Sequence, residues 1–179
     1  MDYQGKKCLE GVKDGEPSSS VAWETPAIYN ELVGKSAFTI FGMFAWHPNL
    51  AGNWKYLIAL GSNTAVGIIG RGNKFEFEIS PHSYQATGND LNNLIDYPSS
   101  WCSFCGTRDA SGNIKFYYNG TVYYSGKNTN SIIVDKVSVL GQTNNGYCSH
   151  NAYCSDFAIY NRALTAEEVL SMHNNLMPL

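Results

Sequence analysis

Glu76 and Glu78 are the residues in this chain best spaced to do chemistry. They stand two apart in KFEFEI, Lys74 to Ile79. In an extended segment both carboxylates project from one face. Retaining glycoside hydrolysis needs two carboxyl groups about 5–5.5 Å apart, and a same-face pair on one strand comes near that spacing. A plainer reading accounts for the segment fully. Period-two alternation leaves Glu76 and Glu78 facing solvent, with Phe75, Phe77 and Ile79 buried behind them. The hydrolase reading therefore stands only as an alternative. No nucleophile motif is visible, and Gly67-Ile68-Ile69-Gly70 lacks the lysine and the strand-to-helix context of a phosphate loop.

The thiols and imidazoles are the next candidates. The five cysteines are an odd number. Cys102 and Cys105 lie three apart on an expected strand, so they point to opposite faces and are poorly placed to share a metal. Cys148 and Cys154 bracket the loop YCSHNAYC. They could close it with a disulfide, or with His150 invite zinc. Free thiols in a reducing compartment are the reading that the unpaired Cys8 favours. His47, His82, His150 and His173 are scattered. His173 falls near the end of a helix, where a partial positive charge is welcome. Asn119-Gly120-Thr121 is formally a glycosylation sequon, but Asn-Gly is also the turn that a two-residue hairpin needs.

These side chains need a frame, and the chain offers an all-β one. Its 179 residues suit one domain with a sizeable core. Charged residues are only 15%, whereas aromatics, Gly and Asn are plentiful. That profile suits a β protein with a polar but uncharged surface. A net charge of −3 and the lack of any basic run argue against nucleic acid. No apolar run approaches the roughly 20 residues that span a bilayer, so no membrane insertion is expected. Met1 to Lys7 is polar and lacks a signal-peptide core.

Residues 1–35 read as a less regular segment with one short strand near Cys8–Val12. Ser36 to Trp46 is apolar on both faces of its alternation, as in a strand buried on both sides. Strands follow at Tyr56–Leu60, Ala65–Ile69, Lys74–Ile79, Trp101–Thr107, Lys115–Tyr118, Thr121–Tyr124 and Lys136–Leu140. Asn119-Gly120 makes the hairpin turn. Ser80 to Ser100 is a long polar connection, a length that is often functional. Gln142 to Cys154 reads as a loop. The last strand puts Phe157 and Ile159 on one face, with Asp156, Ala158 and Tyr160 on the other. A short helix then begins at Thr165, an N-cap whose capping box is completed by Glu168. Leu164 and Val169 form its hydrophobic staple. Val169, Met172 and Leu176 make a narrow apolar stripe, and Asn174-Asn175 with Pro178 end it. Many short strands with regular turns predict an antiparallel two-sheet jelly-roll sandwich with one short C-terminal helix.

The closing segment, DFAIYNRALTAEEV, resembles the end of concanavalin A-like lectin/glucanase domains of the laminin-G and pentraxin type. IKFYYNG at Ile114–Gly120, the strand opened by Trp101, and VSVLG at Val137–Gly141 are similar to strands of the same family. The resemblance is specific over Ser155–Val169, looser over Ser36–Gly141 and weak before Ser36. It implies one such jelly-roll domain over residues 1–179. It also implies a binding role more readily than catalysis. Glucanases of the fold carry acids in an E-x-D-x-x-E pattern, which Glu78 and Pro81 do not reproduce.

Binding a sugar takes a flat aromatic face for the C–H side of the ring and planar amides or carboxylates for its hydroxyls. Two loops offer both. One holds His47, Pro48, Asn49, Asn53 and Trp54. The other holds Asn144, Asn145, Tyr147, His150, Asn151 and Tyr153. The expected ligand-binding set is His47, Asn53, Trp54, Asn145, Tyr147, His150 and Tyr153, although Trp54 and the tyrosines would also serve to pack the sandwich edge. Calcium is implied by the resemblance only, since Asp90, Asp96, Asp135 and Asp156 are dispersed. No other cofactor is expected. Three functions follow. The first is a non-catalytic carbohydrate-binding module whose partner is a glycan or glycosylated surface. The second is a structural or host-attachment protein of a virus or phage particle that contacts other chains. The third is a small glycoside hydrolase using Glu76 and Glu78. The resemblance implies an extracellular, surface or virion setting.

Overall fold

The computed structural model describes residues 1–11, 23–25, 36–46, 55–60, 66–71, 74–79, 100–130, 137–142, 147–148 and 152–177. In chain order the strands are β1 (Asp2–Tyr3), β2 (Lys6–Lys7), β3 (Leu9–Glu10), β4 (Trp23–Thr25), β5 (Phe38–Trp46), β6 (Lys55–Leu60), β7 (Val66–Arg71) and β8 (Lys74–Ile79). They continue with β9 (Cys102–Arg108), β10 (Asn113–Tyr118), β11 (Thr121–Lys127), β12 (Val137–Val139), β13 (Gly141–Gln142), β14 (Tyr147–Cys148) and β15 (Ala152–Tyr160), followed by α1 (Ala166–Leu176). Two antiparallel sheets make the body of the molecule. One has six strands in the order β11-β10-β9-β5-β15-β3, the other five in the order β4-β12-β6-β7-β8.

β5 organises both layers. Phe38, Ile40 and Phe44 enter the core between the sheets, where they meet Leu57, Ile58, Ile68 and Phe77 of the facing sheet. Phe41, Met43 and Ala45 point the other way and pack under α1 with Trp101, Cys105, Tyr117, Tyr153, Leu164 and Val169. The doubly apolar alternation of Ser36–Trp46 thus has its cause in two cores, one on each side of the six-stranded sheet. Cys102 lies in the first core and Cys105 in the second, as their spacing requires.

The clasp at the chain's end forms as its residues dictate. The Thr165 side chain accepts from the Glu168 N–H at 3.3 Å, and the Glu168 carboxylate accepts from the Thr165 N–H at 2.8 Å. Val169, Met172 and Leu176 all face the outer core. The two asparagines do not end the helix. Asn174 and Asn175 lie inside it, and it runs to Leu176 with Met177 as its C-cap. The hairpin turn falls on Asn119 and Gly120, whose φ angles of 47° and 73° suit a tight turn of this hand. The Asn119 side chain of the sequon accepts from the Ser103 N–H at 3.0 Å, so it braces the sheet.

One strand expectation is corrected, and one alternative for the cysteines falls. The span from Gln142 to Cys154 is not one loop, because β13 and β14 form a ribbon within it and β15 begins at Ala152. Cys154 lies in β15 as a buried free thiol, which removes the Cys148–Cys154 disulfide. The described cysteines Cys8, Cys102, Cys105 and Cys154 are all free.

Candidate functional site

The two loops expected to hold a ligand spring from one end of the sandwich. The first leaves β5 after Trp46 and returns at Lys55, the start of β6. The second is divided by the β13–β14 ribbon, in which Gln142 pairs with Tyr147: residues 143–146 join the ribbon's two strands, and residues 149–151 lead from Cys148 to Ala152. Trp46 and Ala152 are register partners on neighbouring strands, so the first loop and residues 149–151 share a root. Both strands of the ribbon pack against β6, where the first loop ends. The turn into the ribbon is made by Leu140, which sits in the left-handed region at φ 56° and whose N–H donates to the Leu57 carbonyl at 2.8 Å. A buried leucine held there is a costly conformation that the surrounding sheet must enforce.

Residues 24–170 match the laminin-G-type family of the concanavalin A-like lectin/glucanases superfamily. The chain belongs to that superfamily. No curated protein sequence matches it. Among solved structures, this lectin/glucanase-superfamily domain is similar to the botulinum neurotoxin serotype D binding domain, with 18% identity and a TM-score of 0.69. That match covers 98% of this chain and 49% of the other. It is also similar to the binding domain of botulinum neurotoxin DC in complex with rat synaptotagmin II, at 19% identity and TM-score 0.61, covering 84% and 38%. The same DC domain in complex with SialylT matches at 18% identity and TM-score 0.57, covering 83% and 37%. The superfamily domain therefore spans about half or less of these neighbours' chains, and at such identity the likeness is one of fold.

Of the expected contact residues, Tyr153 is the one whose side chain is described. It lies in β15 and is 7% exposed, with its ring stacked on that of Tyr3. Burial and the negative charge of Glu10 raise its phenol pKa. His47, Asn53, Trp54, Asn145 and His150 lie outside the described residues, and Tyr147 is described by its backbone alone. Ser80–Ser99 also lies outside them.

Glu78 is placed differently from the solvent-facing expectation, and the side chain of Glu76 lies outside what is described. β8 is the edge strand of the five-stranded sheet, and Phe77 and Ile79 do enter the core. Glu78, however, is only 7% exposed. Alternation set its side of the strand correctly, but what covers that side is not a local property. Among the described residues no group of three His, Cys, Asp or Glu side chains could hold a metal ion. Asp156 is held by Lys6 at 2.8 Å.

His173 also departs from expectation. Burial lowers its pKa, which favours the neutral ring rather than a cation at the helix end. Its Nδ1 lies 3.0 Å from Ser103 Oγ on β9, a contact that sequence spacing could not disclose because the two residues are 70 apart.

Proposed function

We propose that the chain is a non-catalytic carbohydrate-binding module that holds a glycan across the two loops rooted at Trp46 and Ala152. The observation that carries this reading is the shared root itself. It sets the start of the first loop beside the end of residues 149–151 on neighbouring strands of a lectin/glucanase-superfamily sandwich, which supports a site shared by the two segments. Trp54 and Tyr147 supply flat apolar faces. Asn53, Asn145, His47 and His150 supply hydrogen-bond partners for hydroxyls. Burial of Glu78 favours binding over hydrolysis, because a polysaccharide chain needs open access to both carboxyls of a glycosidase pair.

A glycan or glycosylated surface is the partner of this reading, and the botulinum neurotoxin DC binding domain, solved once with rat synaptotagmin II and once with SialylT, is consistent with a glycan or a protein partner. The test is a glycan array probed with the full chain, followed by Trp54→Ala and Tyr147→Ala on the best ligand. Each variant should weaken binding at least tenfold. No glycan bound at millimolar concentration would overturn the reading, as would a glycan whose affinity neither variant changes.

A further inference from the structure

A second ring-binding slot lies on the outer face of the six-stranded sheet, and the chain fills it with its own first hairpin. β15 places Tyr153 opposite Ala45 of β5. Continuing the Phe44–Cys102 register of β5 and β9 by one residue sets Trp101 opposite Ala45 from the other side. Two large aromatics therefore flank a methyl group, which leaves a slot one ring wide. Tyr3 occupies it. Its ring stacks on Tyr153 with centroids 4.1 Å apart and 17° between planes, and it meets Trp101 edge-on at 6.2 Å and 72°. The Trp101 indole N–H donates to the Tyr3 carbonyl at 3.2 Å. Lys6 completes the set, 2.8 Å from Asp156 and 5.9 Å from the centre of the Trp101 ring. Ser155 donates its hydroxyl to the same Asp156 oxygen at 2.7 Å.

The occupant is lightly held. β1 and β2 pair with each other through two register positions and join neither large sheet. A two-stranded hairpin alone is marginal in water. Of its six residues, Asp2, Gln4, Gly5 and Lys7 are exposed, so Tyr3 and Lys6 do most of the anchoring. Beside it opens a cavity of about 580 Å³ lined by Lys7, Leu9, Cys154, Ser155 and Phe157 among others.

We infer that the hairpin is a displaceable plug, and that the slot beneath it binds an amino sugar. The plug presents what such a ligand would present: a six-membered ring for Tyr153, an oxygen acceptor for the Trp101 indole, and an ammonium for Asp156. A peptide strand is disfavoured, because β15 is already paired on both sides at Tyr153, with Ala45 and with Glu10, and offers no free backbone there. The slot offers rings, an indole N–H, a hydroxyl and a carboxylate, which is the chemistry that recognises a charged pyranose. Of the residues expected at the loop site it uses Tyr153 alone, and it does not depend on the others.

The experiment compares the full chain with Tyr3→Ser/Lys6→Gln by calorimetric titration with a β-linked glucosamine tetramer. The double variant should bind at least tenfold more tightly, and adding Asp156→Asn or Trp101→Phe should abolish the gain. Equal affinity in the two chains overturns the plug. A fully N-acetylated tetramer that binds as tightly overturns the amino-sugar assignment, and so does a Tyr-Gln-Gly-Lys peptide that binds where the tetramer does not. Should the double variant fail to fold, hydrogen exchange on the unaltered chain decides. Saturating tetramer should speed exchange of the Tyr3 and Lys6–Cys8 amides, and unchanged exchange overturns the plug. None of these readings requires the loop site to bind anything.

Discussion

Ser103 Oγ and His173 Nδ1, 3.0 Å apart, tie the middle of the six-stranded sheet to the last turn of the only helix among the described residues. Ser103 is buried, and the same residue holds the hairpin turn through two bonds with Asn119, whose N–H donates to the Ser103 carbonyl at 2.9 Å. One serine thus joins a turn, a strand and a helix.

That contact predicts a pH dependence. Burial lowers the folded-state pKa of His173 below its usual 6.5. The folded state then binds fewer protons than the unfolded one, so stability is full above about pH 6.5 and is lost as pH falls through the lowered value. The melting temperature should drop between pH 7.5 and 5.5. In His173→Gln, which keeps a neutral polar group, the drop should be shallower. The chain carries three other histidines, so the difference between the two chains is the quantity to measure. Identical slopes would refute the assignment.

The capping box makes a second prediction. Arg162 grips both Glu168 oxygens, at 2.7 and 2.8 Å, while Glu168 holds the N-cap backbone. The Arg162 hydrogen bonds, with that of the Thr165 N–H, bring the Glu168 pKa down to about 2. Its contribution is therefore complete above the unfolded carboxylate range and fades as pH falls toward 2. At neutral pH Thr165→Ala should destabilise by about 1 kcal/mol. For a chain of this size that lowers the melting temperature by about 2–4 °C. A variant melting with the unaltered chain would show that the helix is held by its staple alone.

The parts of this fold that were legible are those where local chemistry and tertiary packing agree. Phe38 to Ala45 alternates between two apolar sets because two cores exist. Thr165 and Glu168 specify a helix start that nothing opposes. Other parts were hidden for physical reasons. β13 and β14 have two residues each, too few to display a period. In β15 the register slips at Ser155, so Cys154 and Phe157 both face the inner core although they are three apart. A bulge of this kind defeats any alternation count that crosses it. Tyr3 and Lys6 gave no sign of a site, because the partners they meet lie about a hundred residues or more away. Burial of Glu78 is likewise set by what covers the strand, which its own segment cannot reveal.

The thiols offer a third prediction. Desolvation raises the pKa of Cys102, Cys105 and Cys154, so little reactive thiolate forms at any of them. Cys8 is half-buried, and its smaller rise also comes mainly from desolvation. Brief iodoacetamide treatment of the native chain at pH 8, read by peptide mass mapping, should label Cys8 well ahead of those three. Labelling of Cys102 or Cys105 at the Cys8 rate would mean that the sheet opens readily.

Gly106 carries the last prediction. It lies on β9 facing the inner core, opposite Ile40 of β5. A Cβ added there would come 2.3 Å from the Phe77 ring. That ring has no room to retreat, being stacked on Phe116 at 6.1 Å and set edge-on to Phe38 at 6.4 Å. The two sheets meet at this point, so an alanine must either push them apart or force Phe77 off its rotamer. Overpacking of this kind costs about 1–3 kcal/mol. Gly106→Ala should lower the urea midpoint without changing the slope of the transition, because the area exposed on unfolding is nearly unaltered. If Phe77 is the obstacle, Phe77→Leu in the same chain should recover part of the loss. An unchanged midpoint in Gly106→Ala would mean that the sheets are not in contact at this layer.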